Sequence, residues 1–303
     1  MSEIVVLGVF VADVTFQASQ MPRVGETVLG QSFSIGPGGK GSNQSVAAGR
    51  LDASVSLITR IGADEFGALA QETWAQAGVK CAPVFDPIAQ TGAAAILVDA
   101  QSGDNAIIIT PGAAGNISVK DVEASSALIE GAAVFMTQLE QPIGAARRGL
   151  EIARAAKVVT LLNPAPAADL GDDFLALCDY ATPNETEAEA LTGITVIDAR
   201  SAEMAARALV SRGVGCPIIT MGEQGAYLHG HGMVDAVFAG EVVETTGAGD
   251  AFNAGFAVAL ARGAPPVEAV RYGAVVAAIS VTRPGAAASM PTRAEVDALV
   301  AAT

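Results

Sequence analysis

Short runs rich in β-branched residues alternate with helix-length segments along most of this 303-residue chain, and that alternation leaves few architectures open. Residues 3–10 (EIVVLGVF) have the pattern of a buried strand. Strand-like residues 55–61 precede a helix over 66–77, residues 133–139 precede one over 143–156, and residues 158–162 precede a short one over 174–177. A further strand runs over 217–221, and helices are expected over 251–261, 267–279 and 293–300. Continuous apolar runs suit strands covered on both faces, so the spacing predicts βαβ units and a mostly parallel central sheet flanked by helices. Hydrophobic residues make up 51% of the chain but aromatics only 5%, and Ala, Val and Gly fit closely packed helices on such a sheet. The length is compatible with one large α/β domain or with two.

Two stretches depart from this pattern. Residues 14–37 alternate polar and apolar side chains and are punctuated by Pro22, Gly25 and Gly30. Residues 92–100 and 105–110 flank the turn-like Gln101-Ser102-Gly103-Asp104. One-sided alternation marks antiparallel strands with an exposed face, so a small β subdomain is expected over about residues 14–37 and 91–110, inserted into the α/β body.

Polar residues stand where several strands should stop: Asp13 after the first, then Gln138 and Glu140, then Asn163, then Asn184-Glu185-Thr186-Glu187. In an open α/β sheet these positions share the edge at which ligands collect. Asn184 and Glu187 lie one helical turn apart, a spacing that allows a shared hydrated Mg²⁺ ion and equally fits a capping box. Gly36-Pro37-Gly38-Gly39-Lys40-Gly41-Ser42-Asn43-Gln44 leads into a helix over 45–51. It is not a Walker A loop, because Gly41 rather than Ser or Thr follows the lysine. Paired glycines still let a ligand approach the backbone, with Lys40 and Asn43 as donors, or they simply make a tight connection. Gly222 and Gly225 either make room for phosphates or form a turn.

The stretch Glu244-Thr245-Thr246-Gly247-Ala248-Gly249-Asp250 enters the helix over 251–261. Glycines and the unpaired amides of a first helical turn suit an anion, and an aspartate there can take a proton from the group that attacks it. The alternative is an ordinary capped turn. Other classes fare worse. A net charge of −15 opposes binding to nucleic acid, although local amides can still hold a small polyanion. Cys81, Cys178 and Cys216 form no CxxC pair and read as reduced, buried thiols. His229 and His231 lack a third ligand nearby and fit a hairpin tip better than a metal site. No signal-peptide pattern or apolar run of membrane-spanning length is present, so no membrane contact is expected and the cytoplasm is the expected location.

Taken in order and spacing, Gly38-Gly39-Lys40-Gly41-Ser42-Asn43-Gln44, Asn163-Pro164-Ala165-Pro166, Asn184-Glu185-Thr186-Glu187 and Thr246-Gly247-Ala248-Gly249-Asp250 resemble the motifs of the PfkB carbohydrate kinases, and within them the ribokinases. The likeness extends over nearly the whole chain and includes Gly25-Glu26-Thr27-Val28 and Val281-Thr282-Arg283. It implies one Rossmann-like kinase domain over residues 1–303 with a β-lid that also forms a homodimer interface. The implied reaction is ATP-dependent phosphorylation of an exocyclic sugar hydroxyl, ribose in the first instance. By this resemblance Asp250 is the base, and Gly247, Ala248 and Gly249 form the anion hole. Asp13, Gly39, Lys40, Asn43 and Glu140 bind the sugar. Asn184, Thr220, Gly222, Gly225 and Gly249 bind ATP, with Glu187 on Mg²⁺ through water. Glu244, Thr246, Ser280, Arg283, Gly285 and Ser289 surround an activating monovalent cation, K⁺.

Two positions depart from the family pattern. Val11 stands where ribokinases carry Asn, which removes a partner for one sugar hydroxyl. Glu244 replaces the usual Asp at the cation site. A kinase for another small sugar or a nucleoside is the alternative within the fold, and a non-catalytic sugar or nucleotide sensor is the alternative outside it. A dinucleotide-dependent oxidoreductase lacks its GxGxxG after the first strand.

Overall fold

The computed structural model describes residues 3–302. Its strands, in chain order, are β1 (Glu3–Leu7), β2 (Val11–Ala18), β3 (Ser32–Gly38), β4 (Ser54–Ile58), β5 (Arg60–Gly62), β6 (Lys80–Cys81), β7 (Val84–Asp86), β8 (Thr91–Asp99), β9 (Asn105–Gly112), β10 (Val134–Thr137), β11 (Val159–Leu162), β12 (Tyr180–Ala181), β13 (Cys216–Thr220), β14 (Ala226–Leu228) and β15 (Gly232–Val234). The helices are α1 (Lys40–Arg50), α2 (Glu65–Gln76), α3 (Val119–Ala124), α4 (Ser126–Glu130), α5 (Ile143–Ala155), α6 (Asp172–Leu175), α7 (Glu185–Thr192), α8 (Ala199–Ser211), α9 (Ala248–Ala261), α10 (Pro266–Ser280) and α11 (Arg293–Ala302).

Nine strands form the central sheet in the order β15-β14-β13-β12-β11-β10-β1-β4-β6. The seven from β6 to β13 run parallel, and the β14–β15 hairpin closes one edge antiparallel. β1 is the switch point: the chain leaves it for β4 and β6 on one side and returns to β10 on the other. Crossovers diverging from neighbouring strands open a crevice above their carboxyl ends.

The apolar run of β1 feeds two cores. Ile4 and Val6 point into one with Val46 of α1, Trp74 of α2, Phe256 of α9 and Val270 of α10. Val5 and Leu7 point into the other with Leu150 of α5, Phe174 of α6 and Leu209 of α8. Both faces are therefore covered, as the unbroken hydrophobic pattern requires. Small residues set the helix spacing on the first face. A Cβ on Gly255 of α9 would lie 2.9 Å from Cα of Gly273 in α10, and one on Gly273 would lie 2.7 Å from the Phe252 carbonyl oxygen.

A second, four-stranded sheet has the order β3-β2-β8-β9. β2 pairs antiparallel with β3 and parallel with β8, and β8 forms a hairpin with β9. The sequence places Asp13 just beyond the first strand; it instead sits inside β2, paired with Gly36 and Ala94. Residues 27–31 carry no strand. α1 begins at Lys40, five residues before the expected start, because Gly39 at φ 87° turns the chain directly into the helix. The strand expected over 55–61 is split into β4 and β5 around Thr59, and β5 pairs with β7 away from the main sheet. α8 has no counterpart among the expected helices, although its signal is regular: Asp198 and Ser201 form a capping box, and Ala202, Ala205, Ala206 and Leu209 make one buried stripe. Of the three thiols only Cys178 is fully buried, and burial pushes it up to about 12; Cys81 and Cys216 are half-buried. Among the described residues no helix is long and apolar enough to cross a membrane.

Candidate active site

The crevice at the switch point receives the start of α1, the residues after β10 and β11, and the start of α9. Backbone contact brings α1 there. A Cβ on Gly39 would sit 2.6 Å from the Val9 carbonyl oxygen, and one on Gly41 only 2.5 Å from Cα of Gly8, so two glycines let the helix seat its first turn on the end of β1. The Lys40 amide then donates to Glu140 Oε2 at 2.7 Å. In the same turn Asn43 Nδ2 donates to Asp250 Oδ2 at 3.0 Å, and Gln44 Nε2 donates to Asp250 Oδ1 at 2.9 Å. Gln44 also donates to Asn163 Oδ1 at 3.1 Å and accepts from Gln138.

Asp250 is the third residue of α9. Gly247 precedes the helix at φ 79°, ψ 1°, a left-handed conformation that folds the loop into the helix start. The Ala248 amide donates to the Thr245 carbonyl at 3.1 Å, whereas the amides of Gly247, Gly249 and Asp250 have no acceptor among the described residues. Gly249 is exposed, and a Cβ there would meet nothing within 4 Å, so the loop is open at that residue, whereas Gly247 packs against Ala286 and Met290. Asn253, one turn later, donates to the Gly249 carbonyl at 2.8 Å and accepts from Thr182 at 2.6 Å, fixing that first turn from behind. Asn253 and Gln44 carry site geometry that sequence reasoning did not single out.

Four carboxyl groups share this crevice, and burial pushes each upward. Asp250 is raised by burial, against the pull of the Lys40 ammonium and the Asn43 and Gln44 amides. Glu140 is pushed up to about 7, by burial first, with Lys40 opposing and Asp250 and Asp13 adding to the rise. Asp13 is pushed up to about 6 by burial. Glu187 is raised by burial and pulled back by the Asn184 amide and Lys40. Lys40 thus acts on Asp250, Glu140 and Glu187 at once, which puts the start of α7 within its field. Asn43 Oδ1 is buried without a partner, as is Gln138 Oε1. An orphaned amide oxygen beside a carboxylate is what a polyhydroxylated ligand would satisfy.

The other expected residues fall into two groups. Asn184 and Glu187 form a reciprocal capping box at the start of α7, with bonds of 2.8 and 2.9 Å, and Asn184 bridges Thr220 at the end of β13. Gly222, at φ 53°, faces open space, whereas Gly225, at φ 93°, is pressed against Ala236 N. Glu187 is buried, and the capping box engages its Oε2 alone, so one carboxylate with phosphate and water ligands is the donor set a Mg²⁺ ion would find. No group of three or more His, Cys, Asp or Glu is placed to hold a metal by itself among the described residues. Near α9, Glu244 accepts from the Gly285 amide at 2.9 Å, joining two of the residues assigned to the monovalent cation. Ser280 and Ser289 donate to the Ala277 and Ala286 carbonyls, each at 2.8 Å, which leaves their hydroxyl oxygens as acceptors. Thr246 is exposed, and Arg283 is engaged with Glu295 at 3.0 Å. His229 and His231 lie at the β14–β15 turn, away from the crevice at the opposite end of β13.

The model of the pfkB family of carbohydrate kinases matches residues 1–293. A ribokinase of Haemophilus influenzae is 40% identical over 292 residues, covering 96% of this chain and 95% of its own. A deoxyribokinase of Salmonella typhi is 35% identical over 294 residues, covering 96% of each. The structure of Arabidopsis thaliana ribokinase complexed with ribose and ATP superposes with a TM-score of 0.89 at 28% identity, covering 99% of this chain and 98% of that one. A family match over almost the full length, together with relatives this similar, shows that the chain belongs to the pfkB family of carbohydrate kinases.

Proposed function

We propose that this chain is an ATP-dependent sugar kinase that converts D-ribose to D-ribose 5-phosphate, working as one kinase domain over residues 1–303 with the four-stranded sheet as its lid. The observation that supports it best is Asp250: a buried carboxylate held by two amide donors, in a helix turn whose backbone amides lack acceptors and which is open at Gly249. Phosphoryl transfer asks for a base on the attacking hydroxyl and for charge stabilisation around the transferring group, with little covalent help. Asp250 takes the hydroxyl proton. The amides of Gly247, Gly249 and Asp250 and the α9 N-terminus stabilise the phosphoryl oxygens. Ala248, expected among the anion-hole donors, contributes its backbone position rather than its amide, which Thr245 occupies.

Asn43 Oδ1, Glu140, Asp13 and Lys40 bind the remaining sugar hydroxyls, and Gly39 lets the sugar meet the backbone. Asn184, Thr220, Gly222, Gly225 and Gly249 line the nucleotide side. Mg²⁺, held through water at Glu187, supplies charge neutralisation on the phosphates. Glu244, Thr246, Ser280, Arg283, Gly285 and Ser289 hold K⁺ behind the α9 start, where it stiffens the anion hole; equal rates with and without K⁺ would remove this assignment. The expected compartment is the cytoplasm.

The outer face of the lid exposes Phe16, Phe33, Ile35 and Ile108, with Phe16 and Phe33 stacked at 6.0 Å. A contiguous apolar face of this kind supports a homodimer formed lid to lid.

One observation favours a second substrate. Val11 is buried, shares a face of β2 with Asp13, and offers no polar group where the family pattern has an amide. An apolar side chain there suits a sugar lacking one hydroxyl, 2-deoxy-D-ribose. ADP release measured across ribose, deoxyribose, fructose, tagatose and nucleosides decides between them. Turnover of none of these would overturn the kinase reading in favour of a non-catalytic sensor.

A further inference from the structure

Behind Asp250 lies a chain of buried amides that the proposed reaction does not use. Gln44 and Gln138 are each fully buried. An ionised carboxylate only accepts hydrogen bonds, so Gln44 must present its NH₂ to Asp250, and its carbonyl must then face Gln138. Both N–H groups of Gln44 are used, one on Asp250 at 2.9 Å and one on Asn163 at 3.1 Å. Gln138 donates to the Gln44 carbonyl, and its own main-chain carbonyl is held by Gln141. Room for the Gln138 carboxamide exists only because residue 8 is glycine: a Cβ there would come to 2.5 Å from Gln138 Oε1.

We propose that Gln44 is a positioning residue for the phosphoryl-transfer base, and that the relay Gln138 to Gln44 to Asp250 fixes the orientation of the Asp250 carboxylate and keeps one oxygen tied while the other works. Oδ1 is anchored on the rigid sheet side through Gln44. Oδ2 is held by Asn43, whose own Oδ1 is buried without a partner. The carboxylate therefore cannot rotate about its χ2 without losing a donor on each side. Oδ2, on the Asn43 side, is the oxygen that receives the sugar proton. This inference rests on the reading of Asp250 as base.

The test compares wild type with Gln44→Met and Gln138→Met, and runs Asp250→Asn beside them. Each is assayed by ADP release over pH 5–9 with saturating ATP and with the sugar varied. Removing a donor from a carboxylate disfavours its ionised form. Gln44→Met is expected to lower kcat about tenfold at pH 7, leave KM for the sugar within about threefold, and move the acid limb of the kcat profile up by about one pH unit. The charged groups whose fields reach Asp250, namely Lys40, Glu140 and Glu187, are unchanged in both variants, as is Asp13, which acts on Glu140. Gln138→Met, which does not touch Asp250, is expected to move the same two readouts in the same direction by a smaller amount. If Gln44→Met is not recovered folded, Gln138→Met carries the test alone.

A folded variant with wild-type kcat and an unmoved acid limb overturns the relay, as does one whose only change is a raised KM. The two readings fail separately: an active Asp250→Asn removes the base assignment, whereas an inactive Asp250→Asn beside a wild-type-like Gln44→Met removes only the relay.

Discussion

Replacing Asp250 by Asn separates catalysis from folding because the site can absorb the amide. The substituted side chain keeps one carbonyl oxygen, which continues to accept from Gln44; Gln44 cannot turn over while Asn163 and Gln138 hold it. The new NH₂ then faces Asn43, whose Oδ1 has no other partner, so a flip of the Asn43 amide restores the bond lost at Oδ2. The displaced Asn43 NH₂ takes over the buried position that Oδ1 held, so one unpartnered group replaces another. No donor is left facing a donor and no unsatisfied buried group is added to the one already present, so the usual further penalty of about 1–3 kcal/mol does not arise. Removing the buried charge favours the variant. Burial raises the folded carboxyl above its ordinary 3.8. Its proton therefore contributes stability below that value, and the contribution is lost as pH rises through the folded pKa; above it the ionised group destabilises the fold, and Asn does not. Thermal unfolding at pH 8 should give a Tm for Asp250→Asn at or a few °C above wild type, with the difference shrinking at acidic pH. The rate should fall by about 10²–10⁴-fold, or roughly 3–5 kcal/mol of barrier. Coupled ADP release on whichever sugar the wild type turns over measures it. A variant retaining a tenth of the wild-type kcat refutes the base, and a Tm lowered by many degrees refutes the flip.

Gly249→Ala places its methyl in open space, so unfolding should be unchanged while kcat falls about tenfold from crowding of the phosphoryl group; a wild-type rate would show that the anion lies elsewhere. Glu140 and Asp13 have folded pKa values raised to about 7 and about 6, so their contribution to stability is present in acid and lost as pH rises through those values. The sugar-free Tm should drop between about pH 5 and 7, and Glu140→Gln should flatten the upper part of that drop. Val11→Asn adds a donor and an acceptor on the face of β2 that carries Asp13 and should raise kcat/KM for ribose over deoxyribose by about tenfold; an unchanged ratio would clear Val11 of any role. Phe33→Ser on the exposed lid face should shift size-exclusion elution from dimer to monomer, and monomeric wild type would refute the lid-to-lid contact.

The parallel sheet was legible because strands buried on both faces leave continuous apolar runs, and the strand ends were legible because Gln138, Glu140 and Asn163 interrupt those runs with polar side chains. The β subdomain showed itself through one-sided alternation. Less visible was anything that depends on which elements meet. Asp13 reads as the end of a first strand, yet the strand breaks at residues 8–10 and Asp13 belongs to the other sheet. Glu187 satisfied two chemistries at one spacing, and the structure shows the capping box directly. Asn253 looked like an interior residue of an apolar helix; only its contacts with Thr182 and the Gly249 carbonyl give it a purpose.

The glycines of residues 36–41 first invite comparison with a phosphate loop, but the structure uses them for approach between pieces of backbone. Gly39 passes the Val9 carbonyl, and Gly41 meets Gly8 Cα to Cα. That closeness places Asn43 and Gln44, one turn into α1, within hydrogen-bond reach of a carboxylate 206 or more positions later in the chain. A bulkier pair at residues 8 and 41 would lift the helix by more than the tolerance of those bonds, so Asp250 would lose its donors without itself being changed. The same device recurs between helices: Gly255 and Gly273 bring α10 against α9 as Gly41 brings α1 against β1. A methyl at residue 8 would meet Gln138 Oε1 and Gly41 Cα, so Gly8→Ala should lower kcat through the geometry of Gln138 and Gln44 while leaving KM for the sugar within about threefold of wild type.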